Sequence, residues 1–365
     1  MQSRSLVLVF AQSGRFLAET ATRAGFRVRV ADCFGDEDTL AVAESWQPLS
    51  DYSSLTVDAI LEALIHLSDD TPCWLICGAG VERYYSLLNH LPPHIQFIGN
   101  SYESFCKVRD PAKFFGLLND LALPFPPITF STEPQAERIL IKDMKTSGGS
   151  GVKPHQEHPL SESQYVQRYI EGQTRSACFI ANGTEATILG WNSQIHRSSD
   201  FTLIEVQQPN IPNPTIQSQI TDAVERLTLE CGLRGFNSLD FMIDHEGEIY
   251  LLELNPRITA SVELIKNAAI FDWHFTACRG DLPEMDLRCD EGIRILHYMF
   301  AKRPLTIIGS PTWPPCCHDL PQPGSQIQTD MPICTIIIDA STTASAYQIL
   351  TEACAMVMKN CQEHA

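Results

Sequence analysis

The sequence is short of positive charge. Lysine and arginine number 26 against 44 aspartates and glutamates, a formal net charge of −18 over 365 residues. A nucleic-acid binder reads phosphates with a basic face, so this balance argues against one, and equally against docking on anionic lipid. It does not oppose ATP, because magnesium screens phosphate charge locally. Long apolar runs are missing as well. None approaches the roughly 18–20 residues of a membrane span, and Leu6–Ala11 is too short for a signal-peptide core. A cytoplasmic protein is the expectation. Spaced cysteine pairs are also absent. The 13 cysteines include no CxxC, and Cys316-Cys317-His318 stands by itself. Zinc needs about four ligands from spaced pairs, so buried free thiols in a reducing compartment are the better account. There is no internal repeat and no low-complexity linker. With 19% charged and 44% hydrophobic residues the chain is not a disordered polymer and can bury a large core. Its length suggests two or three domains that pack together.

What is present is an α/β alternation. Ser5–Ala11 is an apolar run of strand length. Ser13 can cap a helix that carries Phe16, Leu17, Thr20, Ala21 and Ala24 inward and ends at Gly25. Further strands are expected at Phe26–Ala31, Pro72–Cys77 and Gln96–Gly99, with a helix over Val57–Leu67. Strands separated by helices predict a parallel sheet covered on both faces. Asp110-Pro111 starts another helix by cap plus first-turn proline. Arg138–Asp143 and Ser163–Ile170 read as strands on either side of a glycine-rich loop, Met144–Val152. Gln217–Cys231 has a single apolar face, as an amphipathic helix requires. Ser238–Ile243 and Glu248–Leu254 are joined by Asp244-His245-Glu246-Gly247, which predicts a hairpin. Beyond about Asp290 the texture changes: six prolines fall within Pro304–Gly324, before a strand at Ile333–Ile338 and a helix from Thr343.

The chemistry-bearing residues cluster on that hairpin. Alternation along Leu251-Leu252-Glu253-Leu254-Asn255-Pro256-Arg257 puts Glu253 and Asn255 on one face, and Asp240 on the partner strand can point the same way. Two carboxylates and an amide oxygen suit magnesium, which prefers oxygen ligands and keeps positions open for phosphate. Arg257, at the rim, carries a guanidinium able to clamp a phosphate. A solvated acid pair is the plainer reading. Yet Glu253 sits between Leu252 and Leu254 on an apolar strand, where an idle acid is costly. A second signal is Lys142 followed by Thr146-Ser147-Gly148-Gly149-Ser150-Gly151-Val152. Glycines let backbone amides approach phosphate oxygens, although for the loop standing alone a flexible turn is the better reading, and it lacks the P-loop lysine. A third is Tyr165-Val166-Gln167-Arg168-Tyr169-Ile170-Glu171-Gly172, a strand leaving a sheet whose backbone can meet a flat adenine edge.

In this order these residues resemble the ATP-grasp superfamily of carboxylate–amine and carboxylate–thiol ligases, over roughly Ile98 to Ile265. The resemblance implies an N-terminal parallel α/β domain over residues 1–104. A two-subdomain core would follow: a small part, 105–175, carrying the glycine loop, and a larger part, 176–290, carrying the metal site. A small C-terminal α+β region would close the chain over 291–365. It implies Lys142 on the α-phosphate side of ATP, Gly148, Gly149 and Gly151 over the β- and γ-phosphates, and Gln167, Arg168, Ile170 and Glu171 along the adenine hinge. Asp240, Glu253 and Asn255 would hold Mg2+, with Mn2+ as a substitute, and Arg257 and Lys142 would serve the transferred phosphate. Relatives often carry a lysine where Pro111 stands here, and Lys113 or Lys107 are the candidates to replace it. The tail His318–Gly324 resembles ATP-grasp proteins of pterin- and furan-type one-carbon coenzyme metabolism. The expected activity is ADP-forming amide synthesis through an acyl phosphate, on small-molecule carboxylate and amine substrates, with a homodimer left open. Two alternatives stand beside it. One is a nucleotide-binding protein without ligase activity. The other is an NAD-dependent oxidoreductase, suggested by Asp32 and opposed by Gln12-Ser13-Gly14-Arg15 where a GxGxxG turn belongs.

Overall fold

The structure, a computed structural model, describes residues 5–49, 54–131, 138–143, 151–154, 160–161, 163–285, 292–309 and 311–363. The apolar run Leu6–Phe10 is fully buried and lies at the centre of a five-stranded parallel sheet. It pairs with Arg27–Asp32 on one side and Cys73–Cys77 on the other, with Ser45–Pro48 and Ile95–Phe97 at the edges. Helices Arg15–Arg23 and Val57–Ser68 flank the sheet. The first of these departs from expectation at its start. Gly14, not Ser13, occupies the cap position, and its amide donates to Asp32 Oδ2 at 2.8 Å. A β-carbon at Gly14 would lie 2.6 Å from Val30, so only glycine fits there. The Ser13 hydroxyl instead donates to Asp319, far along the chain, at 2.9 Å.

Two helices lead away from this sheet. Ser101 caps Tyr102–Arg109, an element the sequence pattern did not mark. Asp110 caps Pro111–Asp120 by accepting from the amides of Ala112 and Lys113, as its Asp-Pro start requires. A small antiparallel sheet follows, in the order Ile128–Thr129, Gln164–Arg168, Ile139–Asp143, Val152–Pro154.

The largest element is an eight-stranded antiparallel sheet. Its order runs Ile249–Asn255, Arg234–Asp244, Gly172–Asn182, Ala186–His196, Leu203–Gln208, Ile293–Phe300, Pro332–Ala340, Cys317–His318. The strand Gly172–Asn182 was not foreseen; its polar first half, Gly-Gln-Thr-Arg-Ser, hides its extended character. It is nevertheless the sheet's best-buried member. Ala177, Phe179 and Ala181 face one apolar cluster, while Cys178 and Ile180 face another, as the two-residue period of a strand dictates. Helix Pro214–Cys231 and the pair Phe114 and Phe115 pack on the first face. Helix Ile270–Cys278 and the N-terminal sheet pack on the second. The strands beyond residue 292 extend this same sheet: Gln207 pairs with Ile295, and Ile295 with Ile338. The hairpin strand Ile249–Asn255 forms the opposite edge. There Leu251 N donates to Pro124 O at 2.9 Å, so the chain before the small sheet covers an edge that would otherwise invite pairing.

Candidate functional site

The hairpin register sets Asp240 directly across from Glu253, with an irregularity between Asp240 and Phe241 that re-aims the strand. Asn255 ties the two acids together: its Nδ2 donates to Asp240 Oδ2 and to Glu253 Oε1, both at 3.2 Å. Asp240 Oδ1 also accepts from Gln194 Nε2 at 3.2 Å and from the Ser238 hydroxyl at 3.3 Å. Arg109 Nη1 approaches Glu253 Oε2 at 3.4 Å.

Two carboxylates this close cannot ionise independently. Burial, and next the charge of Glu253, push Asp240 well above the carboxylate range. Burial would raise Glu253 too, but Arg109 and Lys142 outweigh it and hold Glu253 at about 2. Removal from water lowers Lys142, opposed by Glu253 and Asp240. His196 is likewise lowered by burial, with Glu253 acting against it.

These groups line a cleft of about 660 Å³ between the small and large sheets. Lys142, Gln167, Arg168 and Ile170 line it from the small sheet and the hinge, and His196, Asp240 and Glu253 from the large sheet. Gln167 is 2% exposed, and its Nε2 has no hydrogen-bond partner among the described residues. An unpaired buried donor is costly unless something fills the cleft and accepts from it. The Gln167 donor therefore suits a purine edge, and the paired acids suit a divalent ion.

The remaining expected residues are distributed as follows. Gly148 and Gly149 lie outside the described residues. Gly151 is described; its carbonyl accepts from Asp143 N at 3.1 Å, which returns the glycine segment to the strand carrying Lys142. Glu171 sits 3.7 Å from Arg138, both exposed, and is not among the cleft-lining residues. Arg257 turns away from the cleft: its Nε donates to Glu82 Oε1 at 2.5 Å and its Nη2 to Asn255 Oδ1 at 3.5 Å. Lys107 pairs with Glu103 and Lys113 with Asp110, and neither lines the cleft, whereas Arg109 does. Asp32 is fully buried and accepts from Gly14 N, Gly35 N and Trp46 Nε1, so its carboxylate is spent inside the fold and not presented to a dinucleotide ribose.

Sequence reasoning passed over Arg109, Gln194, His196 and Glu82. Arg109 had one available signal, its place immediately before the capping Asp110. Glu82 follows Gly78-Ala79-Gly80 at the carboxyl end of a parallel strand, where ligands of open α/β sheets gather.

Residues 108–261 match the family model of the ATP-grasp domain. An uncharacterized protein of Methanocaldococcus jannaschii, MJ0776, is 23% identical over 295 residues, covering 76% of this chain and 72% of that protein. Among solved structures, the biotin carboxylase domain of Hydrogenobacter thermophilus 2-oxoglutarate carboxylase, a dimer in complex with MgADP, ADP and bicarbonate, superposes with a TM-score of 0.79. It is 15% identical and covers 97% of this chain and 90% of that one. N5-carboxyaminoimidazole synthetase of Staphylococcus aureus complexed with ADP gives 0.70 at 16% identity, covering 97% and 98%. The fold is theirs, and the segment that builds the cleft is the one that the ATP-grasp domain model matches.

Proposed function

We propose that this ATP-grasp protein is an ADP-forming ligase that joins a small-molecule carboxylate to an amine. The observation that carries the reading is that Asp240, Glu253, Lys142 and Arg109 line one cleft with Gln167, whose Nε2 is unpaired among the described residues, while Asn255 ties the two acids together. Gln167 and the backbone around Ile170 would take the adenine, and Lys142 and Arg109 the phosphates. Gly148, Gly149 and Gly151 would close over the phosphates.

Asp240, Glu253 and Asn255 would hold Mg2+, which would supply positive charge to offset that of the phosphates. For that, the Asn255 amide would turn over, giving up its Nδ2 bonds to the two acids and the bond that its Oδ1 accepts from Arg257. A substrate carboxylate oxygen would attack the γ-phosphorus, breaking its bond to the bridging oxygen of ADP and forming an acyl phosphate. The amine nitrogen would then attack the acyl carbon, phosphate would leave, and the nitrogen would give up a proton. No side-chain nucleophile is needed. The protein would orient the reactants and neutralise charge, and Arg257 would have to leave its pair with Glu82 to serve the transferred phosphate.

Among the described residues no helix is long and apolar enough to cross a membrane. The test is a metabolite screen read by ADP release, using amino acids, small peptides and pterin or furan coenzyme precursors. ADP release that requires both a carboxylate and an amine supports the ligase. Tight ATP binding with no release on any pair would leave a nucleotide-binding protein in its place.

A further inference from the structure

The surroundings of Gln167 bear on which base the cleft takes. Across the small sheet Gln167 pairs with Ile128 on one side and Leu140 on the other, and Leu140 pairs with Pro154. Cross-strand partners share a face, so Gln167 is the polar member of an otherwise apolar row. Two residues along the same face, Tyr165 pairs with Lys142. A strand advances about 3.3 Å per residue, so the Gln167 row stands roughly 7 Å from the lysine that would meet the phosphates. That offset puts Gln167 beside the base.

Few other polar groups compete for the base edge. The amide of Arg168 donates to Pro127 O at 2.9 Å and that of Tyr169 to Arg138 O at 3.0 Å, so both are spent within the small sheet and its approach. Of the carboxylates that line the cleft, Asp143 lies beyond Lys142 on its strand, and Asp240 and Glu253 act on Lys142 itself. The group left to read the base is a carboxamide.

Adenine and guanine differ at that edge. Adenine presents its N6 amino group, a donor, and guanine its O6 carbonyl, an acceptor. A carboxylate could only accept, and would choose adenine. A carboxamide carries a donor and an acceptor, and turning it about its last bond exchanges the two without changing its shape. Gln167 is buried, and its Nε2 has no hydrogen-bond partner among the described residues, so no neighbour there holds the donor to one side.

We propose that Gln167 makes the cleft permissive for both purines, so that the protein takes MgGTP as well as MgATP. Oε1 accepts from N6 of adenine, and Nε2 donates to O6 of guanine. A polar site selects through the buried groups that a wrong ligand leaves unpaired, and at Gln167 neither purine leaves one. A pyrimidine, with its smaller ring, falls short of Gln167 when its phosphates meet Lys142. The proposal rests on the reading of the cleft as a nucleotide site, and not on the ligase chemistry.

The experiment titrates the full chain with MgATP, MgGTP and MgCTP by calorimetry at equal free Mg2+. MgGTP should bind within ten-fold of MgATP, and MgCTP at least ten-fold more weakly than either. Gln167→Glu, read at alkaline pH where its carboxyl is ionised, should weaken MgGTP at least ten-fold relative to MgATP. Gln167→Met keeps the length without donor or acceptor and should weaken both purines; it decides the matter if the glutamate variant misfolds in a thermal melt. A gap wider than ten-fold between MgATP and MgGTP in the native chain overturns the proposal and leaves the nucleotide cleft in place. MgCTP binding as tightly as the purines, or purine affinities that neither substitution changes, overturns it equally. Binding of no nucleotide would overturn the nucleotide reading, and this proposal with it.

Discussion

Replacing Glu253 by glutamine keeps the side chain's length and one acceptor oxygen, so the 3.2 Å contact with Asn255 Nδ2 can survive. What disappears is one negative charge, 3.4 Å from Arg109 and directly across from Asp240. The Glu253 side chain is 45% exposed, so its pair with Arg109 is screened by water and contributes about 0–1 kcal/mol to stability. Opposing this, Asp240 loses the like charge that raises it. Because Glu253 is held at about 2, its stabilising effect is present above the ordinary carboxylate pKa and is lost only as pH falls through about 2. Asp240 is raised, so its penalty appears as pH climbs past the ordinary value, and the substitution lessens that penalty. The ligand-free melting temperature at neutral pH should therefore move little, or rise. Activity should behave differently. If the carboxylate holds magnesium against the transferring phosphate, its loss should lower turnover by two to four powers of ten, about 3–5 kcal/mol of transition-state stabilisation. The assay is ADP formation at saturating ATP, with melts and a carboxyl NMR titration of Asp240 as controls. A folded variant that turns over near normally, or one in which Asp240 titrates no lower, would refute both the metal assignment and the coupling behind it.

Three other outcomes are expected. Arg109→Ala should weaken ATP at least ten-fold, about 1.5–3 kcal/mol for a charged contact, and Arg109→Lys should recover much of it; equal ATP affinity by calorimetry would return the role to Lys113 or Lys107. Calorimetry should also show ATP binding that is weak without Mg2+ and much tighter with it, and equal affinities would count against the acid pair as its site. Gly235→Ala should cost about 2–4 kcal/mol in denaturant melts. Its φ is +66°, and a β-carbon there would lie 2.5 Å from the His274 ring and 2.8 Å from Cys278 Sγ; a change under about 0.5 kcal/mol would show that the helix carrying His274 yields.

What could be read from the sequence was what local chemistry specifies. The hairpin was legible because its turn and the alternation after it are written in neighbouring residues, and the structure has strands at Arg234–Asp244 and Ile249–Asn255. The helix Pro214–Cys231 was legible from its apolar face, and Gly232 at φ +65° ends it. What escaped depends on distant partners. Gly172–Asn182 has a polar half that is extended because Arg234–Asp244 and Ala186–His196 pair on either side of it. Ser13 has the composition of a helix cap, but its hydroxyl goes to Asp319, a residue no nearby pattern could predict. Glu82 and Arg257 meet across 175 positions, and neither residue's neighbours signal the other.

The charges around the cleft explain how the hairpin keeps two facing acids and what the site is ready to accept. Glu82, Asp240 and Glu253 supply three carboxylates, and Arg257, Arg109 and Lys142 three cations. They alternate along a path that starts on the N-terminal domain at Glu82, crosses Arg257 and Asn255 to the acid pair, and continues to Arg109 and Lys142. Each cation comes from a different part of the chain: the strand exit, the helix before Asp110, and the small sheet. A polyanion alone gains little there, because phosphate would face the Glu253 charge and the Asp240 carboxyl at close range. A divalent ion alone gains little either, because it would displace Arg109 and Lys142 from those same carboxylates. The two together would suit the site: the ion would take the place of the proton that Asp240 holds, and Arg109 and Lys142 would turn to the phosphates. Joint uptake of metal and nucleotide is the expectation, because a lone cation meets Arg109 and Lys142 and a lone anion meets Glu253.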